Sequence, residues 1–480
     1  MSTASTAISD PRPSAAPGQK PSKALKRVVA ASLTGTALEW YDFFIYGTAA
    51  ALVFDELFFP GAAPGVGTLA AFATFGIGFL FRPLGGIVFG HLGDRIGRRE
   101  TLVITTLVMG LATGIIGLLP TYETIGILAP LALVLLRICQ GMGAGAEFGG
   151  ASTLLAEHAP ANRRGFYASF SQAGVQLGLV MATVAFLIVG TLPDDELTSW
   201  GWRVPFLVSF AMIAVTLYVR LRVEESPVFR QIAQAKRVER KPFLEVFKRY
   251  PRSVLVGIGA HIVDVAVIYV YVTYSVAYLT KELDFSRTTA LTGIVIAGVV
   301  VTLLQPVYGA LSDRIGRRPM NLWSTIFTGL WAFPFFVLLN TGEPVLAWLA
   351  IFVGLVIGLG PMIAIQGAFN AELFGARVRY SGFAFSREMG AAIAGFSPTI
   401  ATALAAVLDG DPWLVAGFMI LSAVISLVAF LASTETKDID MADFDPDQQR
   451  IVTAPTVADD AEAEEPRFTK DGALAPTARR

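Results

Sequence analysis

The sequence predicts an all-α integral membrane protein, with twelve transmembrane helices arranged as two pseudo-symmetric six-helix bundles. Three observations lead there. Of the 480 residues, 54% are apolar and only 16% charged, against about 25% charged in a soluble domain. The apolar residues fall into twelve runs long enough to cross a bilayer, which takes roughly 20 residues as a helix. The second six runs repeat signals of the first six. A sustained period of two is missing from the sequence, so a membrane β-barrel is not expected.

The first six runs lie near residues 28–54, 68–90, 101–119, 128–156, 165–192 and 203–222, and form an N-terminal bundle over 28–222. The second six lie near 253–280, 289–311, 319–339, 345–370, 381–406 and 412–432, and form a C-terminal bundle over 253–432. Residues 1–27 are rich in Pro, Ser and Ala, lack the apolar core of a cleavable signal peptide, and read as a cytoplasmic tail. The stretch 223–252 is strongly basic and reads as a cytoplasmic linker. Residues 433–480, rich in Asp, Glu, Pro and Ala, read as a disordered cytoplasmic tail.

The basic residues orient this plan independently. With both termini in the cytoplasm, 30 of the 37 lysines and arginines fall on that side. The outer loops keep only Lys281 and Arg287, while Arg82, Arg137, Arg203, Arg220 and Arg387 lie within or at the ends of spans. Retention of positive charge on the cytoplasmic face is the usual orientation signal. The near-neutral net charge of −1 gives no reason to expect a nucleic-acid partner, and the single cysteine, Cys139, can form no internal disulfide.

The repeat is specific. Gly90, Asp94, Arg95, Gly97, Arg98 and Arg99 recur at identical spacing as Gly309, Asp313, Arg314, Gly316, Arg317 and Arg318. Later in each half, Ala156, Glu157 and Arg164 are echoed by Ala371, Glu372 and Arg379. Paired six-helix halves are an architecture of secondary transporters, with the substrate site at mid-membrane between them.

The decade around Asp94, and its copy around Asp313, resembles the loop signature of the major facilitator superfamily. Further stretches look like one branch, the metabolite:proton symporters. They include Gly35 to Gly47 with Glu39, Trp40 and Asp42, then Arg82 to Gly86, and Arg137 to Gly150 with Gln140 and Glu147. Trp202 to Phe206 and Glu225 to Pro227 extend the likeness, which covers about residues 25–435. Members of that branch import shikimate, 2-oxoglutarate, citrate, or proline and betaine. The resemblance therefore implies the major facilitator fold and proton-coupled import in a bacterial cytoplasmic membrane. It leaves the substrate open. The expected partners are the lipid bilayer, a small polar metabolite and protons, with a single chain as the working unit and no cofactor or metal.

Several residues are placed to carry chemistry. Asp94, Arg95 and Arg98, with Asp313, Arg314 and Arg317, read as gate elements where cytoplasmic helix ends meet; the plain alternative is a set of topogenic charges. Glu39 and Asp42 share a helix face, about 16 and 21 Å into helix 1 at ~1.5 Å per residue. A carboxylate at that depth costs at least ~3 kcal/mol unless paired, hydrated or protonated, so both are proton-coupling candidates. A static salt bridge is the simpler reading. Arg137 reaches a similar depth on helix 4, roughly 14 Å in. In related sugar–proton symporters an aspartate of helix 1 pairs with an arginine of helix 4, which matches Asp42 and Arg137. Gln140 and Glu147 follow Arg137 at helical spacing. On helix 7, Asp264 and Tyr271 are seven apart and share a face, near His261, Tyr274 and Tyr278. Arg82 and Arg387 lie close enough to cytoplasmic helix ends to snorkel. Arg387 with Glu388 is either a substrate determinant for an anion or one local ion pair. Gly360 and Pro361 suggest a kink in helix 10, with Gln366 and Asn370 beyond it.

The buried arginines favour a small carboxylate as cargo, because guanidinium matches carboxylate geometry. A zwitterionic osmolyte such as proline or betaine is the rival. Drug–proton antiport is disfavoured because helix 5 carries Gly174 and Gly178 but no proline. A receptor on a transporter scaffold is less favoured still. No nucleophile–base pair suggests an enzyme.

Overall fold

The computed structural model describes residues 23–439 except positions 64, 97, 146–151, 153, 154, 157, 158, 222–241, 376 and 377; the side chains of 23, 24, 90, 91, 93–99, 102, 161, 219–221, 242–245 and 380 also lie outside the description. The N-terminal half holds α1 (Lys23–Leu52), α2 (Val66–Leu80 continuing as Arg82–Ile96), α3 (Arg98–Ile116), α4 (Leu128–Ala144), α5 (Arg164–Val189) and α6 (Arg203–Leu221). The C-terminal half holds α7 (Pro251–Lys281), α8 (Arg287–Ile315), α9 (Arg317–Leu339), α10 (Pro344–Glu372), α11 (Arg379–Ala394 continuing as Ser397–Val407) and α12 (Trp413–Ala432). Among the described residues nine helices are both long and apolar enough to cross a membrane, and α1, α3 and α4 complete the twelve. Away from its ends, the backbone groups of such a helix are satisfied within it, so a span leaves few unpaired polar groups in lipid. Leucines, valines and isoleucines such as Leu135, Leu255, Leu303 and Leu330 face outward, as a hydrocarbon solvent requires.

The two halves meet along paired seams: α5 against α8 and α10, α2 against α11, and α1 against α7. Small residues decide how closely the helices approach. A Cβ at Gly141 would lie 1.9 Å from the carbonyl oxygen of Gly78, and one at Gly145 1.9 Å from that of Arg82. The α2–α4 contact is therefore backbone against backbone. Across the halves, Phe79 fills the space beside Gly395 and Phe396 the space beside Gly76, which locks α2 to α11.

Four helices depart from regular geometry, α11 among them with its break at Gly395 and Phe396. Pro83 lacks an N–H, and α2 breaks at Phe81 just before it. In α7, Val270–Tyr274 is a π turn, and in α10 Val353–Leu359 is another, directly before Gly360 and Pro361. Such turns insert a residue and rotate everything beyond them.

Hydrogen bonds to a carboxylate close one end of the seam and ion pairs the other. At the end carrying the two Asp-Arg loops, Asp313 of α8 accepts from the backbone N–H groups of Gly165 and Phe166 at the start of α5, at 2.8 and 2.9 Å. At the opposite end Lys281 of α7 pairs with Asp55 just past α1, and Arg287 of α8 with Asp194 at 2.5 Å.

Two stretches outside the expected spans carry order. Pro242–Arg249, inside the basic stretch 223–252, is a helix whose Phe247 packs edge-on to Phe385. The stretch expected to be a disordered tail from residue 433 carries fixed contacts over its first residues. Glu435 accepts from the N–H groups of Arg317 and Arg318 at 2.8 and 3.0 Å, capping α9, and Thr436 donates to Glu372 at 2.7 Å. The first N–H groups of any helix lack internal partners, and an acidic tail residue meets that need. Residues 440–480 lie outside the described residues.

Candidate functional site

The two halves enclose a buried charged cluster at mid-seam, built from α1, α2, α4, α7 and α11. Antiparallel packing of α2 on α11, fixed by Phe79 and Gly395, brings Arg82 toward Glu388. Arg82 Nε donates to Glu388 at 2.5 Å and Nη2 at 3.3 Å, and Arg387 Nη1 donates to the same carboxylate at 2.7 Å. One carboxylate thus holds two guanidinium groups, one from each half. Arg82 is fully buried and lies over the rings of Trp40, Phe43 and Phe79, 4.9–5.6 Å from their centroids. The expectation that Arg82 and Arg387 snorkel to an aqueous end is overturned: a carboxylate and aromatic faces in the seam replace hydration for both.

Arg137 forms a second centre nearby. Gly78 leaves room for its guanidinium, since a Cβ there would lie 2.4 Å from Nη2. Arg137 donates to the carbonyl oxygens of Phe75 at 2.8 Å and Thr74 at 3.4 Å, and to the side chain of Gln140. The Tyr46 ring lies 4.0 Å below it. The expected direct pair with Asp42 does not form. Asp42 points instead into a small cleft between α1, α3 and α6, with Glu39, Thr106 and Met212, and accepts from Ser209 at 2.6 Å. Gln140 joins the two, taking Arg137 on its oxygen while its nitrogen donates to Thr113 at 2.9 Å and to the Asp42 carbonyl at 3.2 Å. Equal depth on two helices did not ensure equal rotation about them. Glu39, also buried, stands within electrostatic reach of Arg82 and Arg387.

From α7, Asp264 and His261 are linked at 3.0 Å, and His261 meets Asn370 of α10 at 3.2 Å. Asn370 in turn donates to Gln366 at 2.8 Å, so these two α10 residues support His261. Tyr271 was expected on the Asp264 face. It packs against Phe335 of α9, 4.7 Å between centroids, and against Gly354 of α10, inside the C-terminal half. It is the second residue of the π turn, where regular helical phase has already ended. The tyrosine that faces the cluster is Tyr269, which sequence spacing did not single out. Its ring packs on Phe44, Phe75 and Phe79, and its hydroxyl lies within electrostatic reach of Arg82, Arg137 and Arg387.

At the loop end, Asp313 pairs with Arg317 at 2.9 Å, and Arg317 with Glu372 at 3.3 Å. Arg314 is exposed beside a cleft shared with Asn162, Arg163 and Phe166. The side chains of Asp94, Arg95 and Arg98, and the whole of Glu147, lie outside the described residues.

Comparison with known proteins accords with this architecture. The sequence profile of the Major Facilitator Superfamily matches residues 32–396. The shikimate transporter of Escherichia coli (strain K12) is 38% identical over 418 residues, covering 86% of this chain and 95% of its own. The glycine betaine/proline/ectoine/pipecolic acid transporter OusA of Dickeya dadantii is 35% identical over 422 residues, covering 86% and 84%. Among solved structures, the D-xylose-proton symporter superposes with a TM-score of 0.66 at 18% identity, over 86% of this chain and all of that one, a likeness of fold. With the profile spanning most of both halves and relatives matched nearly end to end, the chain belongs to the Major Facilitator Superfamily.

Proposed function

We propose that this chain is a proton-coupled symporter that carries a small organic acid into a bacterial cell by alternating access, with both termini in the cytoplasm and one chain as the working unit. The observation behind this reading is the gathering of Arg82, Arg137 and Arg387 in one buried seam between the halves. Buried guanidinium groups favour an anionic, planar ligand. Arg137, Gln140, Asp264 and Arg387 are the proposed ligand contacts. Asp42 is the proposed proton carrier, its carboxylate held by Ser209 and its backbone carbonyl by the Gln140 that also takes Arg137, with Glu39 the reserve. Asp313, held on the N–H groups that open α5, is the proposed inner gate, with Asp94 its counterpart.

A zwitterionic osmolyte is the second reading, favoured by the aromatic walls of Trp40, Phe43 and Phe79, which suit a quaternary ammonium as well as a guanidinium. Competition for uptake separates the two. A carboxylate such as shikimate, 2-oxoglutarate or citrate should inhibit more strongly than glycine betaine. Strong inhibition by betaine and none by any carboxylate would reverse the assignment.

A further inference from the structure

We infer that Arg82 and Arg387 are the two jaws of a carboxylate clamp, and that Glu388 is its internal occupant, displaced by the substrate's carboxylate. The inference rests on the organic-acid reading and goes beyond it in naming the clamp and its competitor. Glu388 makes the contacts a bound carboxylate would make: a two-point contact with Arg82 and a third donor from Arg387, at 2.5, 3.3 and 2.7 Å. The donors come from opposite halves, so whatever anion sits between them holds the halves together. Donor capacity also exceeds what Glu388 uses. Arg82 Nη1 and the Tyr269 hydroxyl are buried with no hydrogen-bond partner among the described residues. Both border the cluster, and a ligand carboxylate larger in reach than a glutamate side chain could engage them.

Displacement has a charge consequence. Arg82 on α2 and Arg387 on its own helix act on Glu388 directly; Glu39 on α1 lies within electrostatic reach of both arginines, Asp264 on α7 within reach of Arg387, and Tyr269 on α7 within reach of Arg82, Arg387 and Arg137 of α4. When an incoming carboxylate takes the clamp, a buried Glu388 loses both guanidinium partners, in a cluster whose arginines already face Glu39 and Asp264. An ionised carboxylate there is strongly disfavoured. A proton from the medium therefore adds to a Glu388 carboxylate oxygen as the substrate's carboxylate binds. Occupancy and protonation are tied at this residue, separately from the carrier role proposed for Asp42.

The test uses the purified full-length protein and isothermal titration with shikimate, 2-oxoglutarate, citrate and glycine betaine, in buffers of differing ionisation enthalpy. Wild type should bind at least one carboxylate with uptake of about one proton. Glu388→Gln removes the competitor, so it should bind that carboxylate on the order of tenfold more tightly or better, with about one proton less taken up. Arg387→Gln keeps the Arg82–Glu388 pair and should lose carboxylate binding. It guards against misfolding of the first variant. Equal affinity and equal proton uptake in Glu388→Gln, or unaltered binding in Arg387→Gln, would overturn the clamp while leaving organic-acid transport intact. Wild type that binds betaine alone would overturn the organic-acid reading itself.

Discussion

Replacing Asp313 by Ala should shift the resting protein away from the conformation in which the loop end is shut. The Asp313 side chain is 7% exposed and accepts from Gly165 N–H at 2.8 Å and Phe166 N–H at 2.9 Å, besides pairing with Arg317. Hydrogen bonds to a charged group contribute about 1.5–3 kcal/mol each, and a carboxylate at a helix N-terminus adds about 0.3–1 kcal/mol. Part of this returns when α5 parts from α8, because water can then hydrate the freed N–H groups. A net loss on the order of 3 kcal/mol remains, enough to change a two-state population by roughly two decades. Spin labels at exposed Asn162 and Thr434, in a Cys139→Ser background, would read the separation across this end. The variant should show a longer, broader distance distribution and a reduced uptake rate at equal expression. Unchanged distances and near-normal uptake would refute the gate role and leave Asp313 a topogenic charge.

Asp94→Asn should likewise impair uptake without loss of membrane insertion, checked by transport at matched expression. Asp42→Asn should abolish accumulation against a gradient while counterflow exchange persists; accumulation surviving here but lost in Glu39→Gln would move the carrier role to Glu39. Gly141→Ala should lower the melting temperature, because a Cβ would meet the Gly78 carbonyl at 1.9 Å, and overpacking of this kind costs about 1–3 kcal/mol. Lys281→Ala should be mild by contrast. Its partner Asp55 and its own side chain are partly exposed, and such pairs contribute about 0–1 kcal/mol, so a transport loss beyond roughly fivefold would show that the outer pair does more than close a gap.

Much of the fold was legible because a bilayer demands long apolar runs and the positive-inside bias marks their ends. The repeated Asp-Arg loops supplied the pairing of halves. Depth along a helix was legible too, which is why Arg137, Asp42 and Asp264 were singled out. Rotation about each helix was not. Asp42 and Arg137 lie at matching depth, yet one faces Ser209 and the other the carbonyls of α2. Arg82 looked free to snorkel because its partner, Glu388, lies 306 residues along the chain. The π turn at Val270–Tyr274 leaves no mark in hydropathy, and it separates Tyr269, which faces the cluster, from Tyr271, which does not. Glu435 shows the same limit at the C-terminal end: an acidic, irregular stretch reads as disordered until the helix end it caps is in view.

The central claim is proton-coupled uptake of an organic acid, and it is tested most directly in proteoliposomes. Purified protein would be reconstituted with an alkaline interior, with labelled shikimate, 2-oxoglutarate or citrate outside, and with external pH recorded during uptake. Accumulation of one of these acids above its external concentration is expected, together with alkalinisation of the medium, and both should vanish with a protonophore. Entry that stops at equal concentrations, with no proton movement and no effect of the protonophore, would contradict the account.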